Sequence, residues 1–362
     1  MNPNNRLILI MLFLIALGTS SFTPVKKIVS PGELNLQAMI QPIPLTAKFV
    51  NDTSFIWCGT MVKSHLDNKY HLFYSRWPRK LGMAAWATHS EVAHAVSDSP
   101  FGPFQFRDVT LPFRGANYWD GMVTHNPTIH FFNGKYYLYY MGNFGDGKVT
   151  SPQLNWTHRN HQRIGVAVAN DPNGPWQRFD HPLLNVSPDS TAHDAQLVSN
   201  PSVTQMPDGR YLMVYKAVGK KRPQPFGGPV VHLTAIADCP EGPFVKQNKP
   251  IFTAENVDFP AEDPFVWYQD NSYYAIVKDM KGAFTNAGRS LVLFYSLDGQ
   301  DWKLAKHPLV SDLNIKWADG TSKKLEALER PQLFFENGKL VSLLCAVNET
   351  LGHSYNVQIP FK

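Results

Sequence analysis

Two adjacent carboxylates, Glu262 and Asp263, stand at the head of an apolar, aromatic run, EDPFVWYQDNSYYAIV (262–277). A turn needs only one such acid. Two at the mouth of a buried strand pair suit proton transfer, because like charges held close raise each other's pKa. Three further segments open on a polar pair followed by Pro: His125-Asn126, Ser199-Asn200 and Glu329-Arg330. Upstream, Asp120 lies seven residues before Pro127, Asp194 seven before Pro201, and Asp52 seven before Gly59. A single Asp usually caps a turn. Three at one offset predict carboxylates at equal heights converging on one pocket with Glu262 and Glu329.

Other side chains suited to ligand contact gather near the same segments. Lys216 and Lys278 follow Tyr-rich runs, with Arg76, Arg79, Lys220, Lys221 and Arg222 close by, so the pocket is expected to take a polar, even anionic, ligand. Trp57, Trp77, Trp86 and Trp119 are placed to stack on sugar rings or to pack between structural units. His125, His130 and His193 invite a metal, yet no pair has ligand spacing. No metal residues are assigned; a structural Ca2+ or other cation in a central channel is the one cofactor considered.

The elements that must position these residues repeat. The unit is a polar residue, Pro, an apolar run, a tight turn and a second run, in HNPTIHFFNGKYYLYY (125–140), SNPSVTQMPDGRYLMVY (199–215), the 262–277 segment and ERPQLFFENGKLVSLL (329–344). WCGTMVKSHLDNKYHLFY (57–74) is a degenerate first copy. Turns at Asn133-Gly134, Asp208-Gly209 and Asn337-Gly338 are hairpin chemistry. A second alternating strand follows in VAHAVSDSPFGPF (92–104), IGVAVANDPNGPW (164–176), HLTAIADCPEGPF (232–244) and VLFYSLDGQDW (292–302). Five copies at a period of about 67 residues predict an all-β, five-bladed β-propeller of four-stranded antiparallel blades. The fifth copy shows one hairpin, so residues 30 to 50 are expected to supply its missing strands and close the ring.

Composition agrees and excludes other classes. The 362 residues are 43% apolar, 13% aromatic and 17% charged, with 28 Pro and 24 Gly, a balance of short strands and turns. Net charge is +5 without basic runs, so no nucleic-acid partner is expected. Nucleotide-loop and nucleophile-elbow motifs are absent from the sequence. Cys58, Cys239 and Cys345 read as small buried fillers with at most one disulfide. Arg6 and the apolar run Leu7 to Leu17, followed by small residues, read as a signal peptide over 1–21. A single domain over 22–362, periplasmic or secreted and off the membrane after signal removal, follows as the expectation.

The repeat "x-Pro-apolar-x-apolar, turn, Tyr-Tyr-Leu" and the blade ends "Ser-Asp-x-Pro-x-Gly-Pro-Trp/Phe" resemble the propeller glycosidases of glycoside hydrolase family 43, and more distantly family 117. The resemblance covers about residues 35 to 362. It implies a general acid at a Glu two residues before Pro in the fourth blade, which Glu262 matches, with Asp263 where that family usually has Gly. It also implies an Asp-Pro base in the first blade and an Asp before Pro in the third. Here Cys58-Gly59 and Asn200 stand in those places. The base must then come from elsewhere, with Asp120 first, Asp194 as modulator and Asp52 as a reserve. The expectation is a glycosidase releasing a terminal sugar by inversion. Glu262 would be kept protonated by its apolar surroundings, and Trp57, Trp119, His125, Asn126, Asn200, Lys216, Asp263, Lys278, Glu329 and Arg330 would hold the substrate. A non-catalytic glycan-binding propeller and a phosphate-dependent phosphorylase are the competing readings.

Overall fold

A computed structural model describes residues 30 to 350 and 352 to 362, so the predicted signal segment lies outside the described residues. Five four-stranded antiparallel sheets form a ring. Blade I runs Ser54–Lys63, Tyr70–Pro78, Glu91–Ser97 and Gln105–Leu111. Blade II runs Val123–Phe132, Lys135–Asn143, Arg163–Ala169 and Gln177–Arg178. Blade III runs Leu197–Gln205, Tyr211–Val218, Val230–Ala237 and Val245–Lys246. Blade IV runs Ala261–Gln269, Ser272–Asp279, Ser290–Ser296 and Lys303–Ser311. Blade V combines Ala327–Glu336, Lys339–Asn348 and Ser354–Pro360 with Lys48–Phe49 from the start of the described chain.

Ring closure therefore differs in detail from expectation. The C-terminal segment supplies three strands of blade V, and the N-terminal segment adds only the outermost, pairing Lys48 with Val357 and Phe49 with Asn356. The strand Ser354–Pro360 escapes the sequence pattern because it follows a short turn and lacks the turn-and-aromatic ending of the other copies. A small hairpin, Asn314–Lys316 with Ser322–Lys324, is inserted between blades IV and V.

The Tyr-rich runs are second strands, buried because each packs between neighbouring blades. Tyr136 to Met141 are at most 3% exposed. Their hydroxyls leave the apolar layer to staple blades together: Tyr139 donates to the Pro240 carbonyl (2.9 Å) and Tyr137 to Glu241 (3.1 Å). Cys58 and Cys345 are buried as expected, whereas Cys239 is exposed in a blade-end turn; all three are free.

One local device recurs in every innermost strand. Cys58, Asn126, Asn200, Asp263 and Arg330 take φ between 52 and 56°, and the pairing register shifts at each of them. This is a β-bulge in the left-handed region. Asn and Asp tolerate that conformation, and the Pro that follows in four blades removes an N–H the bulge would leave unpaired. In blade I the following residue is Gly59, where a Cβ would lie 2.8 Å from Asn356 Nδ2. The bulge side chains join around the channel. Cys58 Sγ donates to Asn126 Oδ1 (2.6 Å), Asn126 Nδ2 to Asn200 Oδ1 (2.6 Å) and Asn200 Nδ2 to Asp263 Oδ1 (2.7 Å). The Arg330 backbone N–H donates to Asp263 Oδ2 (3.3 Å), and Arg330 Nη2 to the Asn126 carbonyl (3.4 Å).

Asn200 is the middle link. Asn200→Ala removes its ring hydrogen bonds and sets a Cβ-only residue at positive φ, so a loss of about 2–4 kcal/mol in chemical denaturation is expected. A loss below about 0.5 kcal/mol would mean that the ring contributes little.

Candidate functional site

The bulge does more than close a ring. It lets the residue just before it also face the channel, and a pocket of about 250 Å³ opens above the ring as a result. Its floor is Asn126, Asn200, Asp263 and Arg330, and its walls include Trp57, His125, Lys216, Glu262 and Glu329. Trp77, Met83, Trp86 and Gln162 form the remainder. A larger cavity of about 850 Å³ opens at the far end of the inner strands, but its lining holds a single carboxylate, Glu336, already paired with Lys63 at 2.8 Å. The smaller pocket is the one that gathers several carboxylates, Glu262, Asp263 and Glu329.

Charges alternate along one wall. Lys216, which pairs with Ser199 across the blade III hairpin, places Nζ 2.9 Å from Glu262 Oε1. Lys278, opposite Glu262 in blade IV, lies 3.6 Å from Glu262 Oε2 and also holds Glu329 Oε1 of blade V. Burial pulls the Glu262 carboxyl up, but the two ammonium groups outweigh it and hold it below the ordinary range. This reverses the expectation of a protonated Glu262. Its neighbour Asp263 goes the other way, raised by burial and then by the Glu262 charge, against the opposing pull of Arg330. Burial lowers Lys278, yet Glu262 and Glu329 more than compensate and raise it above its usual value.

The aromatic side of the pocket fixes an imidazole. Trp86 stacks on His125 at 5.1 Å between centroids, Trp77 meets it edge-on at 5.7 Å, and Ser90 Oγ lies 2.7 Å from its Nδ1. Burial, then the charges of Arg330 and Lys216, push His125 well below the usual histidine value, so it is neutral at pH 7. A cation in this channel would stand beside the Arg330 guanidinium. Among the described residues no group of three His, Cys, Asp or Glu side chains is placed to hold a metal ion.

The offset carboxylates do not reach the pocket. Asp120 is buried between Arg114 (2.7 Å), Arg178 (2.8 Å) and the Tyr140 hydroxyl (2.6 Å), where it fastens the edge of blade II. Asp194 is held by Lys246 of the outermost blade III strand. Asp52 lies exposed in the turn before Ser54. Trp119 stacks on Tyr140 and donates to the Phe179 carbonyl, again away from the pocket. The reason is shared: all four precede the first residue of their inner strand, on segments entering the blade, and the channel is reached only from the residue just before the bulge. Sequence reasoning overlooked Gln162 and Met83, which lie outside the repeat, Met83 on a short 3-10 helix and Gln162 just before the strand Arg163–Ala169. Trp77 and Trp86 were singled out only by type.

The architecture is that of five-bladed propellers, and the comparisons agree. No family model and no curated protein sequence matches the chain. Among solved structures, a family 117 glycoside hydrolase of the marine bacterium Zobellia galactanivorans is similar, with 17% identity, 89% of each chain covered and a TM-score of 0.60. A thermostable family-43 glycoside hydrolase is similar at 12% identity, covering 90% of this chain and 96% of that one, with a TM-score of 0.58. The native arabinanase of Bacillus subtilis follows at 15% identity, 87% and 96% coverage and a TM-score of 0.53.

Lys278 separates two carboxylates that would otherwise repel. Lys278→Met should destabilise the fold at pH 7 by about 2–4 kcal/mol, since it strands partly buried negative charge. Glu262 has a depressed folded-state pKa, so its contribution is present above its unfolded value and lost as pH falls through the folded one. In the variant that depression is relieved, and the penalty should shrink between pH 7 and pH 4 in urea titrations. A penalty independent of pH would contradict the ion-pair assignment.

Proposed function

We propose that the chain is a glycoside hydrolase releasing a terminal sugar from an oligosaccharide or polysaccharide, with Glu262 and Glu329 as its working carboxylates. The observation that carries this reading is the pair itself: glutamates of adjacent blades reach one ammonium, Lys278, beside a small, aromatic-walled pocket. A floor sealed by the hydrogen-bonded ring leaves room for one sugar at a chain end and no path for threading a polymer through the channel. The neighbouring structures, glycoside hydrolases by description, support the same class.

Glu329, having taken up a proton in the reactive complex, passes it to the leaving oxygen while Glu262, held ionised by two lysines, attacks the anomeric carbon; the glycosidic C–O bond breaks as the Glu262–carbon bond forms. Water then gives its proton to Glu329 and displaces Glu262, restoring both groups. Sharing one ammonium, with Glu262 Oε2 at 3.6 Å and Glu329 Oε1 in direct contact, holds the nearest oxygens of the two carboxylates close together. That spacing fits the ~5–5.5 Å of retaining enzymes better than the 6.5–9.5 Å, roughly, of inverting ones. Neutral His125 and the faces of Trp57 and Trp86 are placed to hydrogen-bond and stack on the ring. Action outside the cytoplasm, periplasmic or secreted, rests on the apolar leader at 1–21.

Leaving-group dependence tests the roles. Glu329→Gln should lose about 10²–10⁴-fold in kcat/KM on oligosaccharides and alkyl glycosides. On a dinitrophenyl glycoside, whose leaving group needs no proton, the loss in kcat/KM should be far smaller, while kcat falls because Glu329 also serves the water step. Glu262→Gln should lose heavily on both. A Glu329 variant equally impaired in kcat/KM on both substrates would overturn the assignment. A parent protein that binds sugars but turns over no neutral, uronic or sulfated glycoside would instead be a glycan-binding module.

A further inference from the structure

The fifth position of the channel ring is unlike the rest. Four positions carry short side chains, Cys58, Asn126, Asn200 and Asp263, and the fifth carries Arg330, 1% exposed in the pocket floor. The guanidinium is under-used. Its Nη2 donates to the Asn126 carbonyl at 3.4 Å, and Nη1 lies 3.6 Å from Asp263 Oδ1, outside hydrogen-bond range. Nε and Nη1 have no hydrogen-bond partner among the described residues. The Asp263 oxygens are turned elsewhere, Oδ1 accepting from Asn200 and Oδ2 from the Arg330 backbone N–H. A buried charged donor without partners is costly, and native structures rarely keep one without a reason.

We propose that the sugar bound here is a uronic acid, and that its carboxylate is received by Arg330 at the pocket floor. The inference rests on the reading of this pocket as a sugar site. The pocket's other cations are already committed: Lys216 to Glu262, and Lys278 to Glu262 and Glu329. Arg330 is the pocket cation with buried donors left unpartnered, and a planar guanidinium matches a carboxylate's two oxygens. The field permits an anion to enter. Three cations, Lys216, Lys278 and Arg330, face at most three negative charges, on Glu262, Glu329 and Asp263, so an arriving carboxylate meets no net negative charge. A neutral hexose would offer the guanidinium only hydroxyl oxygens. The cavity, about 250 Å³, accommodates a single ring with its carboxylate directed down.

A purely structural Arg330 would close the ring and affect stability without affecting sugar choice, so the test reads selectivity. Calorimetric titration of the full chain at low salt compares glucuronate and galacturonate with glucose and galactose. Glucose 6-sulfate and inorganic phosphate serve as oxyanion controls. At least one uronate should bind about 10-fold or more tighter than its parent hexose. Arg330→Gln should bring that ratio near one, and Arg330→Lys should keep part of it. Thermal melts report folding. If Arg330→Gln does not fold, the parent ratio and the Lys variant decide. Equal binding of uronate and hexose, a ratio that survives Arg330→Gln, or sulfate and phosphate binding as tightly as the uronate would each overturn the proposal. Uronate binding without turnover of any glycoside would leave this inference standing and remove the hydrolase reading. Turnover confined to neutral glycosides would do the reverse.

Discussion

Five left-handed bulges, one per inner strand, are the constraint on which this molecule depends. Each breaks the pairing register at the same height, and the side chains so exposed bond to one another across the channel. The consequence is mechanical and chemical at once. The ring plugs the axis, which turns an open channel into a floored pocket. The same kink turns the preceding residue inward, so Trp57, His125, Glu262 and Glu329 become walls. A regular strand would send alternate residues between the blades and leave the channel with half as many groups.

Charge arrangement follows from strand pairing. Because Glu262 stands opposite Lys278 and its neighbour in blade III stands beside Lys216, the glutamate meets two ammonium groups at fixed distances. Asp263, one residue on, turns into the ring and faces Asn200 and Arg330 instead. Two adjacent carboxylates are thereby driven in opposite directions, one kept ionised and one pushed toward protonation. Division of labour between neighbouring acids is set by environment rather than by residue type.

Much of this was legible in the sequence, and the failures have physical causes. The Asn-Gly and Asp-Gly hairpin turns, the Tyr-rich second strands and the Pro after each polar pair gave the five blades, because local chemistry dictates each of them. The polar pairs at 125–126, 199–200, 262–263 and 329–330 were traceable for the same reason, and all but Ser199 line the pocket. Asp120 and Asp194 misled because a constant sequence offset implies a common height only along a regular strand, and theirs lies on entering loops. The ionisation of Glu262 was hidden, since it is set by Lys216 and Lys278, distant in sequence and brought near by hairpin register. The role of position 58 was hidden too: Cys58-Gly59 shares no letter with Asn-Pro, yet takes the same backbone conformation.

The central claim is that Glu262 and Glu329, joined through Lys278, form a closely spaced catalytic pair. The stereochemistry of the first-formed sugar tests it most directly, read by proton NMR of the anomeric signal in the first minutes of hydrolysis. The released sugar is expected to keep, at first, the anomeric configuration of the substrate. First appearance of the opposite anomer would contradict it, because inversion needs a second carboxylate farther off and a water held between the two.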